Sequence, residues 1–207
     1  MKKKIVITGG LGYIGTELCK LYSGVSWHHK IIVIDNRFIS ERVNQIRNWN
    51  IEFIQGDILD KNLIKGYCED ADVIHHLAGI TDVPRIKTEA SKDKDKRIKE
   101  VAEKGTQNIL EVISNRCKII FPSTHVVFEG INEVKKDISE NESTNPVLSY
   151  SSSKAVNEDQ IKRSGKNYVI LRLGSVYGYS NDTMRLDIMT NLFSKIASQN
   201  GTLKLFA

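Results

Sequence analysis

Short runs of aliphatic and aromatic residues recur along the chain, and longer segments with a different periodicity separate them. Six of these runs are continuous rather than alternating: residues 5–7, 31–34, 51–54, 73–77, 118–121 and 168–171. Uninterrupted apolar runs of this length are typical of strands covered on both faces. Strands separated by helices are joined by right-handed crossovers into a parallel sheet. The pattern therefore predicts six buried strands in a doubly wound parallel α/β sheet with helices on both faces, a three-layer α/β/α arrangement.

The segments between the runs repeat apolar residues at helical spacing. One apolar stripe covers residues 14–22 and is ended by Gly24, and a longer stripe covers residues 98–112. A third helix is predicted from about residue 146 to Gly165. The final residues differ, because a polar loop, a helix over 186–198 and a strand over 202–206 follow one another there without a further partner strand.

Composition narrows the class of protein. The 207 residues are 40% hydrophobic and 27% charged, which is ordinary for a globular domain. No apolar run approaches the roughly 18 residues of a membrane span, and we expect a cytoplasmic protein without a membrane segment. The net charge of +5 is too dispersed to predict a nucleic-acid groove. The three cysteines form no CxxC pair and the histidines lack metal-ligand spacing, so buried thiols and no metal site are predicted.

Three glycines, Gly9, Gly12 and Gly15, follow the first predicted strand at three-residue intervals. In a strand-to-helix turn, glycines permit the tight bend, the close approach of a pyrophosphate and the packing of helix on strand. The helix start adds free N–H groups and a positive dipole end. The spacing differs from GxGxxG, so a glycine turn without a ligand is the alternative for this motif alone.

Asp35 ends the second predicted strand, 20 residues beyond Gly15. A carboxylate at this position would accept hydrogen bonds from both ribose hydroxyls of an adenosine and would repel a 2′-phosphate. The cofactor predicted is therefore NAD rather than NADP, although the nearby Arg37 leaves NADP open.

A second group of candidates lies on the third predicted helix. Tyr150 and Lys154 are four residues apart, so both side chains project from one helix face. An ammonium near a phenol favours the phenolate and would lower the pKa of Tyr150 towards neutrality, as an acid/base catalyst requires. Thr124, at the end of the fifth predicted strand, would point a hydroxyl into the crevice where open α/β sheets bind ligands. For the Tyr–Lys pair alone, an ordinary surface pair is the alternative.

Several ordered motifs together resemble the extended short-chain dehydrogenase/reductases, which are the NAD-dependent nucleotide-sugar epimerases and dehydratases and have the Rossmann fold. The matching stretches are Thr8-Gly9-Gly10-Leu11-Gly12-Tyr13-Ile14-Gly15, Asp35-Asn36, Gly56-Asp57-Ile58, His76-Leu77-Ala78-Gly79, Gly105-Thr106-x-Asn108, Ser123-Thr124, Pro146-x-x-x-Tyr150-x-x-x-Lys154 and Leu171-Arg172-Leu173-x-x-x-Tyr177-Gly178. Eight motifs in the right order are far more specific than any one of them.

The resemblance implies a role for each matching position. The glycine turn, with the backbone of Tyr13 and Ile14, would bind the pyrophosphate. Contacts to the adenosine and the route to the nicotinamide would come from Asp35, Asn36, Asp57, Ile58, Leu77, Ala78 and Gly79. The catalytic set would be Tyr150 as acid/base, Lys154 at the nicotinamide ribose and Thr124 at the reacting oxygen. A nucleotide sugar is the implied substrate, oxidised at a hydroxyl by hydride transfer to NAD.

The chain also departs from the family pattern. Dehydratases carry an Asp-Glu pair directly after the threonine, whereas this chain has His125-Val126, so dehydration is disfavoured. Ala102 and Ser175 replace asparagines and Tyr179 replaces a proline. Family members continue for about another hundred residues that build most of the sugar-nucleotide site.

These points lead to one leading hypothesis and two alternatives. Residues 1–178 are predicted to be an NAD-binding Rossmann domain, and residues 179–207 the start of a truncated substrate-binding region. The predicted function is that of a nucleotide-sugar epimerase or related oxidoreductase; the alternatives are a catalytically impaired NAD-binding module and a keto-sugar reductase. The resemblance also implies a homodimer paired through helices near residues 97–114 and 149–164. The sugar, the carbon attacked and the oligomeric state stay open.

Overall fold

Six parallel strands form one sheet in the order β3-β2-β1-β4-β5-β6. The structure is a computed structural model that describes residues 2–81, 92–180 and 183–204. The strands are β1 (Lys4–Thr8), β2 (Lys30–Asp35), β3 (Glu52–Gln55), β4 (Val73–His76), β5 (Lys118–Thr124) and β6 (Asn167–Leu173). The strand order reverses between β1 and β4, as in the Rossmann fold, so the predicted fold class is confirmed.

Helices fill the connections between the strands. They are α1 (Tyr13–Ser23), α2 (Ser40–Asn48), α3 (Lys61–Cys68), α4 (Lys92–Lys99), α5 (Gly105–Val112), α6 (Ser149–Arg163) and α7 (Met189–Ser198). A π-helical turn, Glu100–Lys104, joins α4 to α5 into one continuous helix. A 3₁₀ turn, His125–Phe128, follows β5 directly.

Side chains of the central strands alternate between two apolar cores, one on each face of the sheet. Ile5 and Ile7 of β1 pack with α1 and α2 residues on one face, and Val6 packs against α3, α5 and α6 residues on the other. This alternation explains why the sequence runs are continuously apolar, since every position of the strand is buried.

The sixth strand differs from the prediction that all six are buried. Tyr168, Val169 and Leu171 are each about two-fifths exposed, at 40%, 39% and 43%. β6 pairs with β5 on one side and, like β3 at the other end, is an edge strand of the described sheet. The apolar composition of β6 predicted a strand correctly, but its burial depends on a neighbour that local sequence does not reveal.

The C-terminal segment also differs in detail from its prediction. α7 begins at Met189, three residues later than predicted. The predicted strand over residues 202–206 is wrong for Thr202, Leu203 and Lys204, which form no strand; residues 205–207 lie outside the described part of the chain. Three positions without a partner strand cannot extend the sheet.

The π turn has its own polar support. The side-chain amide of Asn157 donates to the Ala102 carbonyl at 3.0 Å, and that of Gln160 donates to the Glu103 carbonyl at 3.1 Å. Two carbonyls that the wider turn exposes towards α6 are thereby satisfied by α6 side chains.

Residues 2–81, 92–180 and 183–204 contain neither a membrane-spanning helix nor a cluster of metal-ligand side chains. No helix in these ranges has the length and apolar character to cross a membrane. No three histidine, cysteine or acidic side chains in them converge as metal ligands would. Cys19, Cys68 and Cys117 are buried free thiols, as predicted.

Candidate cofactor and active site

A groove of about 970 Å³ runs along the carboxyl ends of the strands. This is the edge where open α/β sheets bind ligands, beside the reversal of strand order. All the site residues predicted from the sequence line this groove: Gly9, Gly12, Tyr13, Ile14, Gly15, Asp35, Asn36, Asp57, Ile58, Leu77, Ala78, Gly79, Thr124, Tyr150 and Lys154. Residues that are far apart in sequence are thus brought to one surface.

The glycine turn between β1 and α1 is packed too closely for side chains. Gly9 has φ of +73°, and a Cβ there would lie 2.7 Å from the Ala78 nitrogen. A Cβ on Gly15 would lie 2.5 Å from the Gly9 carbonyl oxygen. Gly12 is the N-cap of α1 and lines the groove. Glycine is therefore required by sterics at Gly9 and Gly15, while at Gly12 it keeps the floor of the groove low.

The start of α1 presents backbone donors to the groove. The first N–H groups of a helix, here those of Tyr13 and Ile14, have no intrahelical acceptor and lie at its positive end. The first turn holds no acidic side chain that would compete for them. The Tyr13 hydroxyl donates to the Gly178 carbonyl at 2.5 Å, which fixes the helix start to the segment after β6.

Asp35 is buried at the end of β2, and its carboxylate already accepts several hydrogen bonds. The backbone N–H groups of Leu11 and Arg37 each donate to it at 3.0 Å. The Arg37 guanidinium also pairs with it, with Nε 3.3 Å from Oδ1. The Arg37 side chain is about half exposed, so it can turn into solvent while the two backbone donors still bind the buried carboxylate. The carboxylate is thus held in place by backbone donors and covered by a movable cation.

The wall formed by Asp57 and Ile58 is held by α5. A Cβ on Gly105 would lie 2.3 Å from Ile58 Cδ1, so glycine lets Ile58 pack against the helix. The Asn108 amide donates to the Ile58 carbonyl at 3.0 Å. Asp57 faces an arginine of α4, with Arg97 Nη2 3.7 Å from Oδ2. The Gly-Thr-x-Asn motif therefore has a structural purpose, which is to fix this wall of the groove.

A buried histidine ties the neighbouring motifs together. His76 Nδ1 is hydrogen-bonded to the Thr8 hydroxyl at 2.9 Å, and Nε2 to the Thr106 hydroxyl at 3.0 Å. The Thr8 hydroxyl also accepts from the Ala78 N–H at 3.3 Å, which sets the start of the Leu77–Gly79 wall. Burial, with a smaller effect of the Lys154 charge, lowers the pKa of His76 to about 3, so the ring is neutral at physiological pH.

The predicted catalytic set surrounds the end of β5. The Lys154 ammonium donates to the Pro122 carbonyl at 2.8 Å and lies 4.4 Å from the centroid of the Phe121 ring. It lies 5.9 Å from the centroid of the Tyr150 ring. Thr124 Oγ1 accepts from the Val126 N–H at 3.3 Å, so this hydroxyl caps the 3₁₀ turn.

The predicted direction of the Tyr150 pKa is wrong for this structure. Burial raises the pKa of Tyr150, and the positive charge that opposes the shift is that of Arg185 rather than Lys154. The ammonium is directed to the backbone of β5 and not to the phenol oxygen, so helical spacing alone overstated its effect.

Three further residues of the site were missed by sequence reasoning. Glu129 accepts from the N–H groups of Val147 and Leu148 at 2.8 and 2.7 Å, and so positions the start of α6. Arg185 lines the groove from the segment before α7. Glu158 is buried in α6, and its position four residues after Lys154 was the signal that could have revealed it.

Comparison with known families adds an independent observation. The model of the NAD dependent epimerase/dehydratase family matches residues 5–206. The chain belongs to this family. The resemblance drawn from the motifs is confirmed, and the predicted cofactor, NAD, is the one on which the family depends.

The similarity to individual members of the NAD-dependent epimerase/dehydratase family covers only part of their length. A putative UDP-glucose 4-epimerase of Methanocaldococcus jannaschii is 33% identical over 187 residues, which cover 86% of this chain and 57% of that protein. A dTDP-D-glucose 4,6-dehydratase of Dictyostelium discoideum is 29% identical over 197 residues, covering 85% of this chain and 44% of that protein. The chain spans about half the length of the curated relatives it matches.

A solved member of the family has the same fold. The UDP-glucuronic acid 4-epimerase of Bacillus cereus, in complex with UDP-glucuronic acid and NAD, superposes with a TM-score of 0.76 at 27% identity. The match covers 99% of this chain and 66% of that protein.

Proposed function

We propose that the chain binds NAD in the groove and acts on a hydroxyl or keto carbon of a nucleotide sugar as an epimerase or related oxidoreductase. The observation that carries this proposal is the single groove shared by the glycine turn, Asp35 and the set Thr124, Tyr150 and Lys154. A dinucleotide requires a cradle, a ribose acceptor and a reaction centre on one continuous surface.

The residues present fit NAD. The side-chain-free surface at Gly12 and the free N–H groups at the start of α1 suit a pyrophosphate. The fixed carboxylate of Asp35 suits two ribose hydroxyls once Arg37 moves aside. Asn36, Asp57 and the wall behind them would hold the adenosine. When bound, oxidised NAD supplies the hydride acceptor and a positively charged ring.

In this proposal the protein's own groups handle the proton. Tyr150 would exchange a proton with the substrate oxygen, and Thr124 would hydrogen-bond that oxygen. Lys154 would bind the nicotinamide ribose while its ammonium remains on the Pro122 carbonyl. Burial favours the protonated phenol of Tyr150, so this residue needs nearby positive charge to accept the hydroxyl proton as the base during oxidation. It returns that proton as the acid when the keto carbon is reduced.

The residues after Thr124 favour epimerisation or simple oxidoreduction over dehydration. Elimination of water needs a further acid and base, and His125 with Val126 occupies those two positions. His125 is exposed, with Nδ1 3.2 Å from the Leu173 carbonyl oxygen. Reduction of a keto sugar uses the same three residues in the reverse direction and belongs to the same proposal.

We further propose that residues 179–207 begin the substrate-binding region and that residues 1–178 form the cofactor domain. Thr183, Arg185 and Ile188 line the same groove, which supports a substrate role for this segment. A homodimer paired through α4–α5 and α6 stays a prediction.

A second candidate function is that of an NAD-binding module without turnover. It is favoured by one observation, namely that the Lys154 ammonium is bound to the Pro122 carbonyl while burial raises the pKa of the Tyr150 phenol. The two candidates share the cofactor site and differ only in whether a sugar is oxidised.

The decisive experiment measures NAD binding and sugar turnover on the same preparation. NAD affinity would be measured by calorimetry, and a panel of UDP-, dTDP-, GDP- and ADP-sugars would be followed by NADH absorbance and by chromatography of the sugar products. The Tyr150→Phe variant should lower turnover by about 10²- to 10⁴-fold, because general acid/base catalysis is lost, and leave NAD affinity nearly unchanged.

Tyr168→Phe is the matched control, since Tyr168 lies on β6, is 40% exposed and does not line the groove. It should leave both quantities unchanged. Turnover that survives in Tyr150→Phe would refute the catalytic assignment. Tight NAD binding without oxidation of any sugar in the panel would favour the binding module.

A further inference from the structure

A buried ionic cluster lies behind the groove and has no part in the proposed chemistry. Its centre is Glu158 of α6, whose side chain is 2% exposed. The carboxylate accepts from the Ser123 hydroxyl at 2.6 Å and from Arg172 Nε and Nη2 at 3.0 and 2.7 Å. Lys162 adds an ion pair at 3.1 Å from the following turn of the helix. Burying a carboxylate has a large desolvation cost, which these donors offset. A group that needs so many partners calls for an explanation of its location.

The cluster joins the strands that flank the reaction centre. Ser123 of β5 and Arg172 of β6 are paired in register, and Glu158 binds both side chains. The carboxylate therefore connects α6 to two adjacent strands at their carboxyl ends, next to the groove.

Three consecutive residues of β5 connect this cluster to the site. Pro122 offers the carbonyl that accepts from the Lys154 ammonium, Ser123 donates to Glu158, and Thr124 carries the hydroxyl assigned to the substrate. Because β5 side chains alternate in direction, Ser123 can be held from α6 while its neighbours face elsewhere. Any movement of Ser123 would displace both functional groups.

Helical spacing gives the same connection on α6. Tyr150, Lys154 and Glu158 follow one another at intervals of four residues and share one stripe of the helix. The stripe places the phenol and ammonium at the groove and the carboxylate beneath them.

We propose that Glu158 is a positioning residue: by holding Ser123 and Arg172 against α6 it fixes the Pro122–Thr124 segment, whose Pro122 carbonyl binds the Lys154 ammonium. This inference rests on the proposed function for its catalytic meaning. The contacts and charges from which it is argued lie within the chain and do not depend on that function.

The charges around Lys154 support this role. Burial lowers the pKa of Lys154 to about 8, and the Glu158 carboxylate opposes that shift. From β4, the neighbouring titratable group is the neutral His76, and from β5 the contacts are a carbonyl and an aromatic ring. Arg172 and Lys162 pair with Glu158 itself. Glu158 is thus the anion that supports the ammonium among the described residues.

The carboxylate remains charged wherever Lys154 titrates. Burial raises the pKa of Glu158, but the hydrogen bonds from Arg172, Ser123 and Lys162 outweigh burial and leave the pKa at about 2. A titration between pH 6 and 10 therefore reports on Lys154 against a constant charge at Glu158.

The test is an NMR titration of the full 207-residue chain with ¹³C-labelled lysine, without cofactor or sugar. The Lys154 signal is assigned by its loss in Lys154→Met. Glu158→Gln should move the Lys154 midpoint down by about half a unit to one unit, because a nearby opposite charge is removed while side-chain shape is kept. Glu158→Asp, which retains the charge, should restore most of the shift.

The matched control is Asp159→Asn, the next residue of α6, whose exposed side chain pairs with Arg163. Its Lys154 midpoint should equal that of the unmodified chain. An unchanged midpoint in folded Glu158→Gln, or an equal shift in the control, would overturn the proposal.

Ser123→Ala covers the case in which Glu158→Gln does not fold, since it keeps the ion pairs. The proposal expects the Lys154 midpoint to fall by roughly a quarter to half a unit, because the Pro122 carbonyl is no longer held against the ammonium and a hydrogen bond to the charged form favours that form. A midpoint identical to that of the unmodified chain would refute the proposal. Failure of sugar turnover would refute the proposed function but leave these titrations intact, so the two failures are distinguishable.

Discussion

The part of the chain up to α6 and the part that follows it are held together by different forces. Among the described residues, every buried apolar side chain lies at or before Ile161. Beyond it, the buried residues are two polar ones, Ser180 and Asn191. The first part is stabilised by apolar burial on both faces of the sheet. In the second part, β6 is held by its backbone pairing with β5, and α7 by hydrogen bonds to a polar side chain.

Asn191 shows how the second part is attached. Its side chain accepts from the Gly178 N–H at 3.0 Å and donates to the Arg185 carbonyl at 2.8 Å and to the Tyr13 hydroxyl at 3.4 Å. One buried amide on α7 therefore links the glycine turn, the end of the β6 motif and the segment that carries Arg185. The glycine turn and the walls of the groove are thus placed by the core, whereas the segment around Arg185 is placed by a few directional contacts.

The largest effect is expected from paired truncations in adjacent strands. Ile119→Ala in β5 removes a fully buried side chain and should cost about 2–5 kcal/mol of unfolding free energy. Leu171→Ala in β6 removes a side chain that is 43% exposed and should cost less than about 1 kcal/mol. Urea denaturation followed by circular dichroism measures both. Equal costs would show that the outer face of β6 is covered in solution and would break the comparison.

The next effect is a pH dependence that originates in the core. Burial lowers the pKa of His76 in the folded chain to about 3, from the ordinary 6.5. Between these two pH values the unfolded chain binds a proton at His76 and the folded chain does not. The stabilisation is complete above pH 6.5 and is lost as pH falls towards 3, with a slope of up to about 1.4 kcal/mol per pH unit.

His76→Gln should remove the contribution of His76 to that slope between about pH 4.5 and 6.5, above the range where carboxylates titrate. A smaller slope of the same sign should remain from His75, whose pKa is also lowered by burial. The exposed His28→Gln is the control and should leave the slope unchanged. Urea midpoints collected across this pH range provide the measurement. A slope that is unchanged in His76→Gln would mean that His76 is not the source of the pH dependence.

A smaller and more local effect is expected from Asn191→Ala. Loss of its hydrogen bonds should weaken the attachment of α7 by about 1–2 kcal/mol, which corresponds to roughly a 5- to 30-fold faster proteolytic cleavage of the segment around residues 183–204. NAD affinity should change little, because the core forms the cofactor wall. Thr190→Ala, at an exposed position of α7, should cleave at the original rate. Slow cleavage in Asn191→Ala would show that α7 has apolar support.

The sequence predicts the part of the chain up to α6 better than the part that follows it. The runs that became β1 to β5 were predicted within a few residues, because burial on both faces imposes an apolar pattern that local sequence records. The glycine turn is likewise predictable from the sequence, since close backbone contacts exclude every other residue type at Gly9 and Gly15. β6 was recognised as a strand, but its exposed face depends on what lies beside it.

Features that depend on partners far away in the sequence could not be predicted from it. The direction of the Tyr150 pKa is set by burial and by Arg185, which are properties of the folded groove. Glu158 was overlooked because its partners come from β5 and β6, although its helical register with Lys154 was visible. The predicted strand at residues 202–204 had suitable residue types and no neighbour to pair with.

The hydrogen bond from the Tyr13 hydroxyl to the Gly178 carbonyl has a consequence for the order in which the chain folds. It joins residues 165 positions apart, and closing so long a loop has an entropic cost that is recovered only when both ends are already ordered. During synthesis the amino-terminal strands emerge first, so we expect β1 to β4 to pair early and this contact to form last. In a nascent chain the glycine turn would therefore form before the Tyr13 hydroxyl binds its acceptor, the Gly178 carbonyl.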